Sequence, residues 1–440
     1  MASVAQVAAA MERVLSSTAK AIERQTRFVQ RQSKLGGSLF AKTMVLGWLE
    51  NPSSSLDGLT QVAARLGLQI SAQALSDRFD EHAAEFLKQL LGAAVGELIC
   101  AQPVAIAILR RFTAVYIDDS TVVALPDALA KVWKGTGERT GHNQAAVKLA
   151  VRLDLLSGNL TGPLLGDGRG QDRGSPLQTT PLPTGALRVA DLGYFSLPVL
   201  AQIAAGGGYF LTRMQVQTAV FDAKGKRLNV KTFLAAHTSD DVDIPVRLGV
   251  HWRLPARLLA KRIPPDVAGD RRRKLHSEAR HKSQAVSQDR LALADWTILV
   301  TNAPVELLSL QEALVLARAR WQIELLFKLW KQHGGIDKSR SRNPRRILCE
   351  LYAKLLGMLI QHWLQLLCAW PHPDRSLVKA AATIRSSVAL VIAALCGCLS
   401  LEAAIQHICS TITLGCRMNT RRKRPNTYQL LLALGQEGLA

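Results

Sequence analysis

The sequence predicts an α/β protein with helical regions at both ends. Between Phe112 and about residue 303, short apolar strands alternate with turns and a helical stretch. Residues 1–108, and the chain from Leu308 almost to its end, instead carry apolar residues at helical spacing with few β-branched runs. Strands interleaved with helices are typical of an α/β domain. No internal repeat is visible in the 440 residues, which suffice for several domains.

Strand patterns lie at defined places in the middle of the chain. TAVYIDDSTVVALP is predicted to be a buried strand ending in acidic residues, and AAVKLAVRLDLLSGNLTGPLL to be a hairpin around Gly158. ALRVADLGYFSLPVLAQIAAGGGYFLTRM predicts strand, turn, helix, glycine-rich turn and strand. Residues 216–294 are more polar, with β-like pieces such as FDAKGKRLNVKTFLAAH, and WTILVTNAP predicts a further strand.

The charge of the chain points to a partner made of phosphates. Lys and Arg number 55 against 34 Asp and Glu, which gives a formal net charge of +21. The cations cluster in three runs, residues 271–274, 338–346 and 421–424. A single run is usually a solvated surface, but three separate runs favour contact with nucleic acid along an extended path.

The N-terminal region contains a helix-turn-helix pattern in LTQVAARLGLQISAQALSDRF. Gly67 marks the turn, and Ser71 is placed to cap the second helix. Such a unit could enter a DNA groove, yet any two short packed helices give the same pattern. Both interpretations stay open from the sequence.

The cysteines and apolar stretches favour a reducing compartment and no membrane span. Charged residues interrupt the start MASVAQVAAAMERVL, so we expect no signal peptide. The uncharged stretch 386–401 is predicted to be a buried helix, because it is short for a bilayer. A Cys-x-Cys pair with irregular partners is a weak zinc signal, so we expect buried free thiols in a cytoplasm. The four cysteines near the C-terminus are Cys396, Cys398, Cys409 and Cys416.

Two aspartates follow buried strands. Asp119 comes after the apolar VYI, and Asp191 comes after ALRVA. A carboxylate at the end of a hydrophobic strand is well placed to hold a metal ion at the edge of a sheet. A turn or helix-capping aspartate is the alternative for each, and Asp118 leaves the choice of the first acid open.

A helix predicted in ARARWQIELLFKLWK carries a third acid. Arg320, Glu324 and Lys331 are four and seven residues apart, so an ideal helix aligns them within roughly 40°. The alternative is a solvated ion pair, which contributes little. The helix also has an apolar stripe that would pack against the sheet, formed by Ile323, Leu326, Phe327 and Trp330.

This helix resembles the YREK signature, Tyr-x2-Arg-x3-Glu-x6-Lys, of the insertion-sequence-four family of bacterial DDE transposases. DDSTVVALP is similar to the first-aspartate block of that family, which selects Asp119 over Asp118. VADLGYFSL followed by YFLTR is similar to the second block, with Asp191 and Arg213. WTILVTNAP resembles the strand before the signature helix, with Trp296 where hairpin-forming members stack a flipped base. The signature tyrosine is replaced by Ala317, which puts one phosphate contact in doubt.

The resemblance implies an RNase H-like catalytic core interrupted by a β-rich insertion, with helical N-terminal and C-terminal regions. The predicted domains are a helical DNA-binding domain at 1–108, a core at 109–215 and 304–370, an insertion at 216–303 and a basic helical region at 371–440.

The resemblance also implies the reaction and its residues. Asp119, Asp191 and Glu324 are the expected catalytic and metal-binding residues, with two Mg²⁺ or Mn²⁺ ions per site. The expected DNA-binding residues are Arg213, Trp296, Arg320, Trp321 and Lys331. The expected partners are double-stranded DNA, both the terminal inverted repeats of the element and its target, and a second copy of the chain in a DNA-bound homodimer.

The expected activity is cleavage at the element ends through a hairpin intermediate, followed by transfer of the 3′ ends, in the nucleoid of a bacterial cytoplasm. Two alternatives remain. A metal-dependent nuclease of the same fold would keep the three acids without strand transfer. A domesticated DNA-binding protein would keep the basic surface but lose an acid, and no acid is missing here.

Overall fold

The computed structural model describes residues 2–31, 34–137, 144–281, 283, 285–419 and 425–437. The chain divides into two compact units. The first unit comprises Met1–Ala105, Ser120–Gly170 and Gln322–Tyr428, and the second comprises Ile106–Asp119, Gln171–Trp321 and Gln429–Ala440.

The regular elements of the described residues are as follows. The strands are β1 Val115–Leu125, β2 Ala145–Asp154, β3 Leu160–Asp167, β4 Leu187–Ala190, β5 Tyr209–Arg213, β6 Val220–Phe221, β7 Arg227–Leu228, β8 Asp241–Leu248, β9 Leu254–Arg262 and β10 Trp296–Thr301. The α-helices are α1 Val4–Glu12, α2 Ala19–Gln25, α3 Gly37–Glu50, α4 Leu56–Arg65, α5 Ala72–Ser76, α6 Glu81–Val95, α7 Leu197–Ala205, α8 Val230–Ala236, α9 Pro265–His281, α10 Gln288–Ala292, α11 Leu310–Ala319, α12 Trp321–Lys328, α13 Pro344–Cys368, α14 Leu377–Ser386, α15 Val388–Leu395, α16 Leu401–Gly415 and α17 Thr427–Glu437.

The strands form a mixed ten-stranded sheet in the order β3-β2-β1-β4-β5-β10-β9-β8-β6-β7. β1, β4 and β5 are parallel neighbours, and β10, β9 and β8 continue antiparallel. The predicted α/β class and the helical ends are therefore confirmed.

The first unit is organised around α13. Pro344 occupies the first turn of this 25-residue helix, where no hydrogen bond is lost, and Asn343 caps it through Oδ1. Almost every side chain of α13 is buried, and the helix packs against α3 and α6. A helix that is apolar around most of its circumference needs such neighbours on several sides.

The predicted helix-turn-helix rhythm of the N-terminal region is present as local structure. α4 ends before Gly67, whose φ of +81° favours glycine, and Ser71 Oγ accepts a hydrogen bond from Ala74 N at 3.1 Å to start α5. A role of these helices in DNA contact stays a prediction.

The second unit has one large apolar core between the sheet and the helix α7. Its members come from β5, α7, the β6–β9 region and β10, and they include Phe210, Leu200, Val246, Leu258 and Trp296. This core ties the region after residue 216 to the strands that carry Asp191 and Arg213.

Four details of the prediction were wrong. β1 continues to Leu125, so Asp119 lies within a strand rather than at its end. The segment VKTFLAA forms α8, because the side chain of Asn229 caps it, and the basic run 271–274 lies on α9. The region predicted to be a β-rich insertion therefore contains helices too. The seven cysteines are free as expected, but Cys396 and Cys398 are exposed.

The predicted signature helix is also interrupted. α11 ends at Ala319 and α12 begins at Trp321, with a π-helical turn at Leu329–His333. The apolar stripe of this segment is buried as predicted.

No single helix among the described residues has the length and apolar character needed to cross a membrane. By those two criteria α14 and α15 would qualify only as a pair, and they are bent by 49°.

Candidate active site

Two of the predicted acids lie on neighbouring strands of the second unit. Asp118 of β1 is in register with Ala190 of β4, so Asp119 and Asp191 are the next residues along two adjacent parallel strands. β4 ends at Ala190, where Asp191 begins a 3₁₀ turn. Both acids are half-buried. The carboxyl ends of parallel strands are a common position for active-site groups in open sheets.

Arg213 lies at the end of β5, the strand next to β4. Ala190 is in register with Thr212 of β5, so Arg213 follows at the same edge as Asp191, and its side chain is exposed. Arg271 of α9 lies close enough for the charge of Arg213 to act on it. Burial lowers the pKa of Arg271, and the charge of Arg213 lowers it further. Two arginines thus lie near each other beyond the end of β5.

Asp118 is buried, unlike its neighbour Asp119. Its carboxylate accepts a hydrogen bond from Arg188 Nε at 2.7 Å, and both side chains are almost inaccessible, at 0% and 2% exposure. Arg188 also donates to Gln178 Oε1 at 2.7 Å. With its carboxylate held in this network, Asp118 is unsuited to bind a metal ion, which favours Asp119.

Asp119 forms an ion pair with Arg320. The guanidinium Nη1 lies 3.1 Å from Asp119 Oδ2, and each side chain is 20% exposed. Arg320 lies between α11 and α12, so the pair joins β1 to the loop that starts the helix of the third acid.

Glu324 lies in the first turn of α12, within the first unit, and is half-buried. Across the described ranges of the chain, no three His, Cys, Asp or Glu side chains form a group that could hold a metal ion. The structure thus brings Asp119 and Asp191 onto adjacent strands without a ready three-acid cluster. Their donor chemistry still fits a divalent cation, since Mg²⁺ and Mn²⁺ prefer carboxylate oxygens.

Lys331 belongs to the π-helical turn after α12. Its Nζ donates a hydrogen bond to the backbone carbonyl of Val122 in β1, at 2.9 Å, and the side chain is half-buried. The cation therefore lies beside the strand that carries Asp119. π-helical turns are frequent at functional sites.

The two predicted DNA-contacting tryptophans differ in exposure. Trp296 is 6% exposed within the core of the second unit, and the guanidinium of Arg262 lies 4.4 Å from its ring centroid. Trp321 is 58% exposed at the start of α12. Of the two, only Trp321 is open to a ligand in this conformation, and base stacking by Trp296 stays a prediction.

The cations of the basic run 271–274 differ in their partners, although the sequence predicts one common surface. Arg272 pairs with Asp295 and Arg273 with Asp270, whereas Arg271 donates to Trp296 O at 3.0 Å and to Thr297 Oγ1 at 2.9 Å. Nothing in the sequence distinguishes Arg271 from Arg272 and Arg273, because its partners lie about 25 positions away. The basic run 421–424 lies outside the described residues.

The chain is similar to known transposases. The sequence profile of the family described as "Transposase DDE domain" matches residues 110–360, which include Asp119, Asp191 and Glu324. The chain is 28% identical over 364 residues to the transposase for insertion sequence element IS231F of Bacillus thuringiensis subsp. israelensis, covering 77% of this chain and 75% of that protein.

More distant relatives carry similar descriptions. The transposase for insertion sequence element IS1151 of Clostridium perfringens is 23% identical over 369 residues, covering 77% of this chain and 76% of that protein. A putative transposase InsL of Escherichia coli, for element IS186A, is 28% identical over 183 residues, covering 40% and 50%. A DDE domain implies dependence on a divalent metal ion. The chain belongs to the transposase DDE domain family and is a DDE transposase of the insertion-sequence type.

Proposed function

We propose that this transposase binds the terminal inverted repeats of its own element, cleaves the DNA there and transfers the 3′ ends into a target. The observation that carries the proposal is the register of the parallel strands β1 and β4, which places Asp119 of β1 level with Asp191 directly after β4, inside the matched family region. Glu324 is proposed as the third acid; it lies in the first turn of α12, which begins directly after Arg320, the partner of Asp119. An RNase H-like core within the mixed sheet is part of the same proposal, with the five-part domain organisation expected from the sequence.

The three carboxylates would hold two Mg²⁺ or Mn²⁺ ions. When bound, such ions activate water or a DNA 3′-hydroxyl as the nucleophile and stabilise the leaving oxygen of an in-line displacement. Asp119 is the central ligand in this proposal because it lies next to both Asp191 and the start of α12. Carboxylate oxygens are the donors that these hard cations select.

Arg320 connects the first acid to the DNA in this proposal. Its guanidinium sits beside Asp119 and neutralises the carboxylate. On loading of the site, Arg320 would release Asp119 and turn to a phosphate of the DNA, because a bidentate guanidinium suits phosphate as well as carboxylate.

Lys331, Arg213 and Arg271 would hold the DNA backbone around the acids. Lys331 is fixed beside β1 by its bond to Val122 O, and the two arginines line the edge next to Asp191. The resemblance to the YREK signature supports the role of Arg320 and Lys331. With Ala317 in place of the tyrosine, one phosphate contact of that signature is absent.

We further propose a hairpin intermediate and a homodimer in the DNA complex, both on the strength of the family resemblance. An excised hairpin leaves a base unstacked near its tip, and an aromatic side chain compensates part of that cost. Trp321, exposed beside Arg320, can reach such a base directly. Trp296 would have to leave the core of the second unit first.

The direct test is incubation of the protein with DNA that flanks its own gene, in the presence of Mg²⁺, followed by separation of the products on a denaturing gel. Excised fragments and products joined to target DNA support a transposase. Cleavage without joined products would indicate the nuclease alternative. Binding without any cleavage, in both Mg²⁺ and Mn²⁺, would indicate a DNA-binding protein that has lost catalysis.

A further inference from the structure

Two neighbouring turns of the second unit carry cations around an exposed tryptophan. The first turn joins β6 to β7 at residues 222–226, and the second joins β8 to β9 at residues 249–253. Arg253 joins them: its Nη1 donates a hydrogen bond to Gly225 O of the first turn at 3.5 Å. We call residues 222–227 and 247–253 the basic–aromatic tip.

Several exposed cations belong to the tip. The exposed members are Lys224, Lys226, Arg227, Arg247 and His251. Within the described part of the chain, none of the five forms an ion pair with a carboxylate. Asp222 is the acid of the tip, and its carboxylate accepts the backbone N–H of Lys226 at 2.8 Å.

The other end of the same β8–β9 hairpin follows the opposite pattern. There each of three cations has an aspartate across the hairpin: Lys261 with Asp241 at 2.6 Å, Arg262 with Asp240 at 3.1 Å, and Arg257 with Asp243. One hairpin is therefore neutralised at one end and left positive at the other. An unpaired cluster of cations attracts a polyanion.

Trp252 lies in the second turn of the tip, with half of its surface exposed. Its neighbour Val250 is 56% exposed. Single exposed apolar residues are common, but an exposed tryptophan among unpaired cations combines the two groups that bind single-stranded nucleic acid: a stacking platform and a positive path for phosphates.

Side-chain contacts and hydrogen bonds hold the turn that carries Trp252. Arg253 adopts a φ of +43°, rare for a residue with a Cβ, and its guanidinium lies 3.3 Å from the ring centroid of Phe221. Its Nε donates to Val250 O at 3.1 Å. Gly249 has a φ of +81°, and a Cβ there would lie 2.6 Å from Leu197 Cδ1. Strained backbone persists where the surroundings hold it, often at binding sites.

We propose that the basic–aromatic tip binds DNA with unpaired bases, with Trp252 stacking on a base and the surrounding cations holding phosphates. The proposal rests on the proposed function for its ligand, DNA. It adds a binding site outside the predicted set of DNA-contacting residues. Leu197, against which Gly249 packs, follows Asp191 by six residues, so the tip abuts the segment that leaves the candidate active site.

The experiment compares two probes, a blunt DNA duplex and the same duplex with a single-stranded 3′ extension containing 2-aminopurine. Binding is followed by fluorescence anisotropy over a range of salt concentrations. We expect Trp252→Ala to weaken binding of the extended probe at least about fivefold and to reverse the quenching of 2-aminopurine, with little effect on the blunt duplex. Trp252→Phe should keep most of the affinity.

The cations are tested with a matched pair on the same hairpin. Arg247→Gln should lower the slope of log affinity against log salt by about 0.7 to 0.9, as for one lost phosphate contact. Lys261→Gln removes the same charge from the end paired with Asp241 and should leave the slope unchanged. Equal effects of the two variants would contradict the proposal.

Other outcomes separate the tip from the proposed function. If the unchanged protein cleaves its element and Trp252→Ala binds both probes normally, the tip proposal is wrong while the function stands. If the tip variants change binding as expected but the unchanged protein cuts nothing, the function fails while the tip stands. A loss of self-association in Trp252→Ala without a change in DNA affinity would assign the tip to a second copy of the chain and overturn the proposal.

Discussion

Asp118 and Arg188 form a buried ion pair, 2.7 Å between Oδ2 and Nε, directly beside the two candidate acids in the chain. Asp118 precedes Asp119 on β1, and Arg188 precedes Asp191 by three residues on β4. The pair thus links the two strands close to Asp119 and Asp191, the candidate acids. Through Gln178, which donates to Tyr194 O at 3.1 Å, the network also reaches the turn after Asp191.

The first prediction separates Asp118 from Asp119. Asp118→Ala leaves the Arg188 guanidinium buried without its partner, so we expect the free energy of unfolding to fall by about 3 to 5 kcal/mol. Asp119→Ala removes a carboxylate that is one-fifth exposed, and stability should change far less. Urea unfolding of the two variants measures this difference. Equal stabilities would mean that the ion pair contributes nothing to the fold.

The second prediction concerns Lys331. Lys331→Ala should weaken binding to cleaved ends and lower the salt slope by about one unit, because one phosphate contact is lost. Lys328→Ala is the control, since Lys328 is an exposed lysine one turn earlier on α12. Anisotropy titrations at several salt concentrations provide the slopes. A Lys331 variant with an unchanged slope and normal cleavage would show that the bond to Val122 is its main role.

Trp296 is the subject of the third prediction. Trp296→Ala creates a cavity in the core of the second unit and should lower the free energy of unfolding by about 3 to 5 kcal/mol. Trp296→Leu keeps an apolar side chain in the core but removes the aromatic ring, so it isolates the stacking role predicted from the sequence. If that role is correct, a time course of labelled ends should show the first nick at a normal rate and slow hairpin formation. Uniform slowing of all steps would leave Trp296 a packing residue.

The fourth prediction is a pH dependence of stability. Burial lowers the pKa of His362 to about 4, although its contact of 2.7 Å with Gly158 O acts in the opposite direction. The folded state therefore binds fewer protons than the unfolded state between about pH 6.5 and 4, so the contribution to stability is lost as pH falls through this window. Between pH 7 and pH 5 the loss should be about 2 kcal/mol. His362→Gln should show a smaller loss in urea unfolding; an equal loss would exclude His362 as its source.

Much of the sheet could be predicted from the sequence, because many of its strands are short apolar runs. The segments around Asp191, Gly158 and Thr301 form the predicted strands and hairpin, since each is an apolar run bounded by turn residues. The end of β1 was misplaced, because the acids in its middle interrupt the apolar run without interrupting the strand.

The parts of the site that could not be predicted depend on long-range contacts. Arg188 lies 70 positions from Asp118, and nothing local in either segment identifies the other as its partner. The burial of Trp296 likewise follows from strands and helices that close over it from distant parts of the chain. The exposure of Trp252 could not be predicted, because the sequence does not show which parts of the chain pack over a turn.

The central claim is that Asp119, Asp191 and Glu324 together support metal-dependent cleavage. The measurement is the rate of strand nicking on a labelled element end, with Mg²⁺ and with the metal removed by a chelator, for the unchanged protein and for Ala at each acid. We predict that each substitution, like removal of the metal, abolishes nicking while DNA affinity survives, because phosphate contacts supply most of the binding. Nicking by Asp119→Ala at a rate near that of the unchanged protein would contradict the account.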